Sequence, residues 1–181
     1  MTVHMIARSK LSSSASSITI NSIPQWNKDL HVVILGRTDR ASNTKSTLAI
    51  RFNGDSSTNY SYGQWNVQDG QAGGTPVASL NFYNPTNVIS ATSIQSIAVS
   101  GATAAANTFG YGQLTIPDYA SSSKHKMLHL MSMCNQGNWV SHGYEGSGLW
   151  RSTSPITSIT IFDVNGANLV AGSMITVYGM G

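Results

Sequence analysis

Residues 46–65, STLAIRFNGDSSTNYSYGQW, hold two repeating patterns and the break between them. From Ser46 to Phe52 apolar and polar residues alternate, the period of a half-buried β-strand. Asn53, Gly54 and Asp55 follow, residues that accept a left-handed backbone or bond their own main chain, and so read as a turn. Tyr60, Tyr62 and Trp65 then resume on a second strand whose aromatics occupy both faces. Strand, polar turn, strand is the building unit of an all-β fold.

The same unit recurs in both directions. SSITINSI (16–23) alternates, and LHVVILGR (30–37) is a more continuous apolar run of strand length. Further strands are expected at Tyr60–Val67, Ser79–Tyr83, Ile94–Val99, Gly110–Ile116, Met127–Cys134, Val140–Trp150, Ile156–Phe162 and Met174–Tyr178. About ten short strands with turn residues between them predict a single all-β domain, a sandwich or a barrel. No window combines a helical stripe with caps. The glycine-rich DGQAGGTP (69–76) reads as a turn or flexible crossing, and GATAAA (101–106) is too short for an independent helix. Residues 1–17 are read as either an N-terminal arm or an edge strand, and 18–181 as the sandwich.

Composition agrees with that class. Charged residues are 9% of the 181, against roughly 25% in an average soluble protein. Glu145 is the only glutamate, so the Glu–Lys pairs that solvate helices are missing. The formal charge of +3 and pI near 9.1 come from Lys and Arg scattered along the chain, without the basic stripe that successive phosphates require. No nucleic-acid partner is expected. Cys134 stands alone, which excludes an internal disulfide and a thiolate cage. Residues 1–17 lack the apolar core of a secretory signal and no run is long enough to span a bilayer, so synthesis in the cytosol and no membrane partner are expected.

Candidate chemistry fails on residue type. An EF-hand read from Asn53 puts Asp55, Ser57, Asn59, Ser61 and Gln64 at ligand positions but Thr58 where the glycine belongs, and it lacks the closing glutamate. His125 and His129 have zinc-helix spacing, yet Lys126 replaces the catalytic glutamate; as a strand, His125, Met127, His129, Met131 and Met133 share one face and Leu128, Leu130 and Cys134 the other. In YEGSGLW (144–150) glycines flank Ser147 directly, which breaks the nucleophile-elbow pattern; His142 and Asp163 are only nominal partners for it. The seven acids are isolated in sequence, so no glycosidase pair is visible. The expectation is no catalytic residue, no metal and no cofactor.

Four stretches together resemble a family of small virion proteins of tailed bacteriophages, frequent in aquatic phages and of structural or tail-fibre-like type. They are MIARSKLSSSASSITINSIPQWNKDLHVVILGRTDR (5–40), LAIRFNGDSSTNYSY (48–62), QLTIPDYASSSKHKMLHL (113–130) and GLWRSTSPITSITIFDVNGANLVAGSMITVYGMG (148–181). Within them, Ile23-Pro24 leads to a strand opening at Asp29-Leu30 and ending at Arg37. The most distinctive motif is Arg51, Phe52, Asn53, Asp55, Asn59, Tyr60 and Tyr62. Ile116, Pro117 and Tyr119 match a later turn; Gly148, Trp150 and Ile156–Ile159 match the penultimate strand; Tyr178 and Gly179 close the last. Residues 66–106 match only loosely, and the end Val177-Tyr178-Gly179-Met180-Gly181 departs conservatively from a Leu-Tyr-Gly-Ile type terminus.

The resemblance implies an antiparallel β-sandwich of jelly-roll type, assembled in the host cytoplasm into a virion. Its motif residues, Arg51, Phe52, Asn53, Asp55, Asn59, Tyr60, Tyr62, Trp150 and Tyr178, would be structural or interface positions. With no coiled coil or fibre shaft in the chain, the expected role is a capsid decoration or cement protein. It would be a homotrimer contacting the major capsid protein or other virion subunits. The alternative is a tail-associated or fibre-tip protein whose exposed Trp26, Trp65, Trp139 or Trp150 stacks on a host-surface glycan.

Overall fold

The computed structural model describes the backbone of residues 2–72, 75–135 and 141–181, and their side chains except at 67–72, 75–86 and 141. The described residues form twelve strands: β1 (Val3–Lys10), β2 (Ser17–Ile20), β3 (Asp29–Gly36), β4 (Lys45–Phe52), β5 (Tyr60–Ala72), β6 (Thr75–Ala91), β7 (Ile94–Ser100), β8 (Gly110–Ile116), β9 (Lys126–Asn135), β10 (Ser141–Trp150), β11 (Ile159–Asp163) and β12 (Met174–Met180). All pair antiparallel in two sheets that pack as one sandwich, ordered β1-β12-β3-β8-β9-β10-β5-β6 and β2-β11-β4-β7.

Setting aside the hairpins β5–β6 and β9–β10 leaves eight strands with a familiar order. The first, last, third and sixth of them form one sheet and the second, seventh, fourth and fifth the other, which is the jelly roll. Both hairpins extend the larger sheet beyond β8. Alternation decides the faces, as the sequence predicts. On β9, Leu128, Leu130 and Cys134 are buried while Met127, His129 and Met133 are exposed.

The core lies between the sheets and is built mainly from branched aliphatic side chains: Ile18, Ile20, Ile50, Ile159 and Ile161 from one, Leu30, Val32, Ile34, Leu114, Ile175 and Val177 from the other. The sheets approach closely along β7, where Gly110 faces the strand with no side chain of its own. A Cβ there would sit 2.5 Å from Val99 Cα and 2.8 Å from Ala98 O. Ser132, from β9, reaches across: Ala98 N donates to its Oγ at 2.9 Å, and the hydroxyl donates to Ser96 O at 3.1 Å. A small-sheet edge is thus tied into the larger sheet.

Two expectations are corrected. The predicted crossing at 69–76 is largely strand, because β5 continues to Ala72 and β6 starts at Thr75, paired Ala72↔Thr75 and Gln71↔Pro76. A proline can occupy β6 because β6 is an edge strand. The strand predicted to open at Ile156 begins at Ile159, since the backbone of 157 and 158 donates to a side chain instead of a neighbouring strand. The segment 101–106 is turn and irregular chain, in keeping with its being too short for a helix of its own. Val140 and Trp139 lie outside the described residues.

Because Gly110 faces backbone, Gly110→Ala is expected to cost about 1–3 kcal/mol by overpacking. A guanidinium unfolding midpoint unchanged within error would show that β7 has room to retreat.

Candidate functional site

The motif Arg51–Tyr62 sits where the chain leaves β4 in the small sheet and enters β5 in the large one. Asn53 and Gly54 both have positive φ, 52° and 67°, and Asp55 N donates to Phe52 O at 2.9 Å, the geometry of a type I′ turn. Asp55 then collects the loop. Its Oδ1 accepts from Ser57 N at 3.0 Å and from the Ser57 hydroxyl; its Oδ2 accepts from Trp150 Nε1 at 2.7 Å and Asn59 Nδ2 at 3.1 Å. Burial alone would raise this carboxyl, but the bonds from Ser57, Trp150 and Asn59 outweigh it and hold the group far below the usual carboxylate range.

The remaining motif residues except Tyr178 are joined to the same structure. Tyr60 is fully buried, and its hydroxyl shares its one proton between Asp55 O at 3.1 Å and Phe52 O at 3.3 Å while accepting from Phe52 N at 3.0 Å. Phe52, Tyr60 and Trp150 form a ring cluster with centroids 5.6–6.3 Å apart. Asn53 Oδ1 accepts from Thr157 N and Ser158 N, and its Nδ2 donates to Pro155 O at 2.8 Å. Arg51 stacks over Phe162 at 4.7 Å, and Tyr62 is buried. Tyr178, on the outer face of β12, lies 6.3 Å from the His31 ring and apart from this cluster. The geometry therefore gathers eight of the nine motif residues around one end of the sandwich, where Asp55, Asn59, Tyr60 and Trp150 bond within the motif while Asn53 bonds the approach to β11 and Arg51 the Thr92 carbonyl.

The nominal catalytic residues do not converge. Ser147 is exposed on the outer face of β10, whereas His142 is buried on the inner face and its Nε2 accepts from Lys45 Nζ at 2.9 Å, which also donates to Tyr144 OH at 2.9 Å. Burial, reinforced by Lys45, pushes the His142 imidazole down to about 4. Asp163 accepts from Ser46 Oγ and from Asn165 N at 2.7 Å. His125 and His129 belong to the β9 region and not to a helix, so they do not form the zinc-helix pair; no cluster of three or more His, Cys, Asp or Glu occurs among the described residues.

Sequence reasoning misses two basic clamps. Arg37 donates to the carbonyls of Ala102, Ala104, Ala105 and Thr108, and the buried Lys126 donates to those of Ser121, Lys124 and Thr153. Arg37 is 65–71 residues from its partners, so no local pattern signals its clamp; Lys126 lies two and five residues from two of its partners, and its one signal is a lysine at an inward position of β9.

It also leaves unplaced a shallow trough of about 540 Å³ on the outer face of the added hairpins, lined by Gly63, Trp65, Asn87, His129, Glu145 and Ser147 among others. Trp65 is 55% exposed there, and Trp26 is 71% exposed, stacked on His4 at 4.7 Å. Trp150, by contrast, is buried.

No protein-family model matches the chain, and no curated protein matches it. Among solved structures, the crystal structure of A. japonicus CB05 is similar at 13% identity with a TM-score of 0.36; the match covers 99% of this chain and 26% of that one. The chain thus spans about a quarter of that protein's length.

Two acid-sensitive groups divide the pH scale. His142 takes its proton at about 4 when folded and near 6.5 when unfolded, so the unfolded state binds more protons between those values and stability falls as pH drops through that window. His142→Gln is expected to flatten the thermal midpoint from pH 6.5 to 4; an unchanged slope would assign it elsewhere. For Asp55 the folded value is depressed below 3.8, so its contribution is present above that pH and lost as the pH falls below it. Asp55→Asn is expected to lower the melting temperature at pH 7 and to weaken the further loss below pH 4, read by circular dichroism.

Proposed function

We propose that this chain is a non-enzymatic structural protein of a bacteriophage virion, a capsid decoration or cement protein that seats as a homotrimer on the major capsid protein. The observation that carries this reading is the outer face of the jelly-roll half of the larger sheet. Val3 and Met5 are each 57% exposed on β1, and Val33, Leu35, Met174, Tyr178 and Met180 lie partly exposed beside them. Large apolar groups collected on one sheet face favour contact with another protein surface.

The sheet edges support the same assignment. Edge strand β6 carries Pro76 and Pro85, which remove backbone donors and discourage pairing. Edge strand β1 carries no proline, and the half nearest its start presents Val3 and Met5. A face and an edge left open together suit a module that adds area at subunit junctions, and threefold closure would repeat that contact at a local symmetry axis.

Carboxylate use supports a non-enzymatic role. Asp29 accepts from Asp118 N at 2.9 Å, Asp39 from Asn168 N at 2.8 Å, and Asp118 pairs with Lys124 at 2.5 Å. With Asp55 and Asp163 engaged as described and Glu145 3.4 Å from His129, each of these acids has a partner within the fold.

Quantitative mass spectrometry of purified virions and tail-less heads tests the proposal. The expected result is a copy number comparable to the major capsid protein, retained on heads, with Val3→Ser/Met5→Ser reducing rebinding to stripped heads while the isolated variant keeps its melting temperature. A few copies that depart with the tails would overturn it.

A further inference from the structure

We infer that the trough on the added hairpins is a binding site for a neutral oligosaccharide, with Trp65 as its stacking platform. The inference is independent of the chain's place in a particle, since it rests on a different part of the surface from the apolar jelly-roll face.

Strand register builds the site. One row across four strands runs His129, Ser147, Gly63 and Asn87, and the next places Met131, Glu145 and Trp65 side by side. All point outward, because the alternate positions Leu128, Leu130, Gly148 and Tyr62 are buried. Gly63 contributes no side chain, so the middle of the first row is an open floor between the Ser147 hydroxyl and the Asn87 amide. The indole stands beside that floor. The volume of about 540 Å³ falls within the roughly 300–1,000 Å³ of small-molecule sites.

The polar groups select the ligand class. Asn87 and Ser147 each donate and accept, and Glu145 accepts. The carboxylate opposes an anion, and its partner His129, 3.4 Å away, competes with a cation for it. No Lys or Arg lies between Arg51 and Lys124, so β5 and β6 bring no basic group of their own, and the Arg151 guanidinium that reaches β5 at Ser61 is engaged by Ser61 Oγ and Thr58 O. A purely apolar ligand would strip water from this polar row without replacing its hydrogen bonds. A pyranose satisfies both halves of the site: its C–H face covers the exposed indole and its hydroxyls exchange donors and acceptors with Asn87, Ser147 and Glu145.

The experiment is titration of the chain with cello-, malto-, manno-, galacto- and N-acetylchito-hexaose, followed by tryptophan fluorescence and calorimetry, with a polysialic oligomer as the anionic control. Saturable binding of at least one neutral hexaose is expected. Trp65→Ala should weaken it by about tenfold or more, and Trp65→Tyr should retain part of it. Glu145→Gln, which keeps an acceptor, should cost less than Glu145→Ala. Light scattering and circular dichroism of each variant report on assembly and folding. Binding of none of the neutral oligomers, binding of the anion alone, or binding undiminished in a folded Trp65→Ala chain would overturn the inference. So would a change of oligomeric state in Trp65→Ala without any saccharide effect, which would make the trough a contact between copies.

Discussion

The carboxylate of Asp55 joins the two sheets at the end where the chain passes between them. Phe52 belongs to the small sheet, Tyr60 and Trp150 to the large one, and the loop that carries Asp55 connects them. A connection that changes sheet has no ladder of its own, so its backbone groups need side-chain partners. Asp55 supplies acceptors to the loop and to the Trp150 indole together, while the Tyr60 hydroxyl serves three backbone groups of the same turn. Once those bonds fix the turn, Trp150 and Tyr60 stand opposite each other in the ladder of β10 and β5. The β5–β6 hairpin is thereby aligned on the larger sheet, and the outer trough depends on that alignment.

The same accounting explains how a chain so poor in charge uses the charges it has. Arg37 reaches four carbonyls of one loop, Lys126 two carbonyls of the loop before β9 and a third, Thr153, in the loop after β10, and Asn53 holds the approach to β11. Burial lowers the Lys126 ammonium from its ordinary value, yet carbonyl oxygens surround it where water would otherwise be needed. Long loops cannot bury their main chain without donors of this kind. A guanidinium or ammonium that would be a binding candidate in an open cleft is here consumed by the fold.

Faces were legible in the sequence and partners were not. Two-residue periodicity placed the inward and outward sides of β9 correctly, and it put Trp65 on the face opposite Tyr60 and Tyr62. The Asn53-Gly54 pair signalled its turn because only a few residues tolerate two successive left-handed positions. The jelly-roll order was reached through resemblance, since alternation contains no information about which strand pairs with which. Glycine-rich composition at 69–76 was misleading for a related reason: glycine content does not show that 71 and 72 pair with 76 and 75 in an antiparallel ladder. The Trp65 trough was illegible because His129, Ser147, Gly63 and Asn87 become neighbours only when four strands are in register.

Placement of the two hairpins separates stability from display. A bare jelly roll would leave β8 as an edge; the hairpins β9–β10 and β5–β6 cover it and move the edge to β6, where prolines interrupt pairing. Their inner faces still contribute Leu128, Leu130, Trp150, Tyr60 and Tyr62 to the common core, so the extension is held by the sandwich and does not rely on its own pairing. The outer faces are released from that duty. Residues there can vary in chemistry without changing the register that positions them, and this is the physical condition under which a surface of a β-sandwich can acquire a ligand while the opposite half of the same sheet serves a different contact.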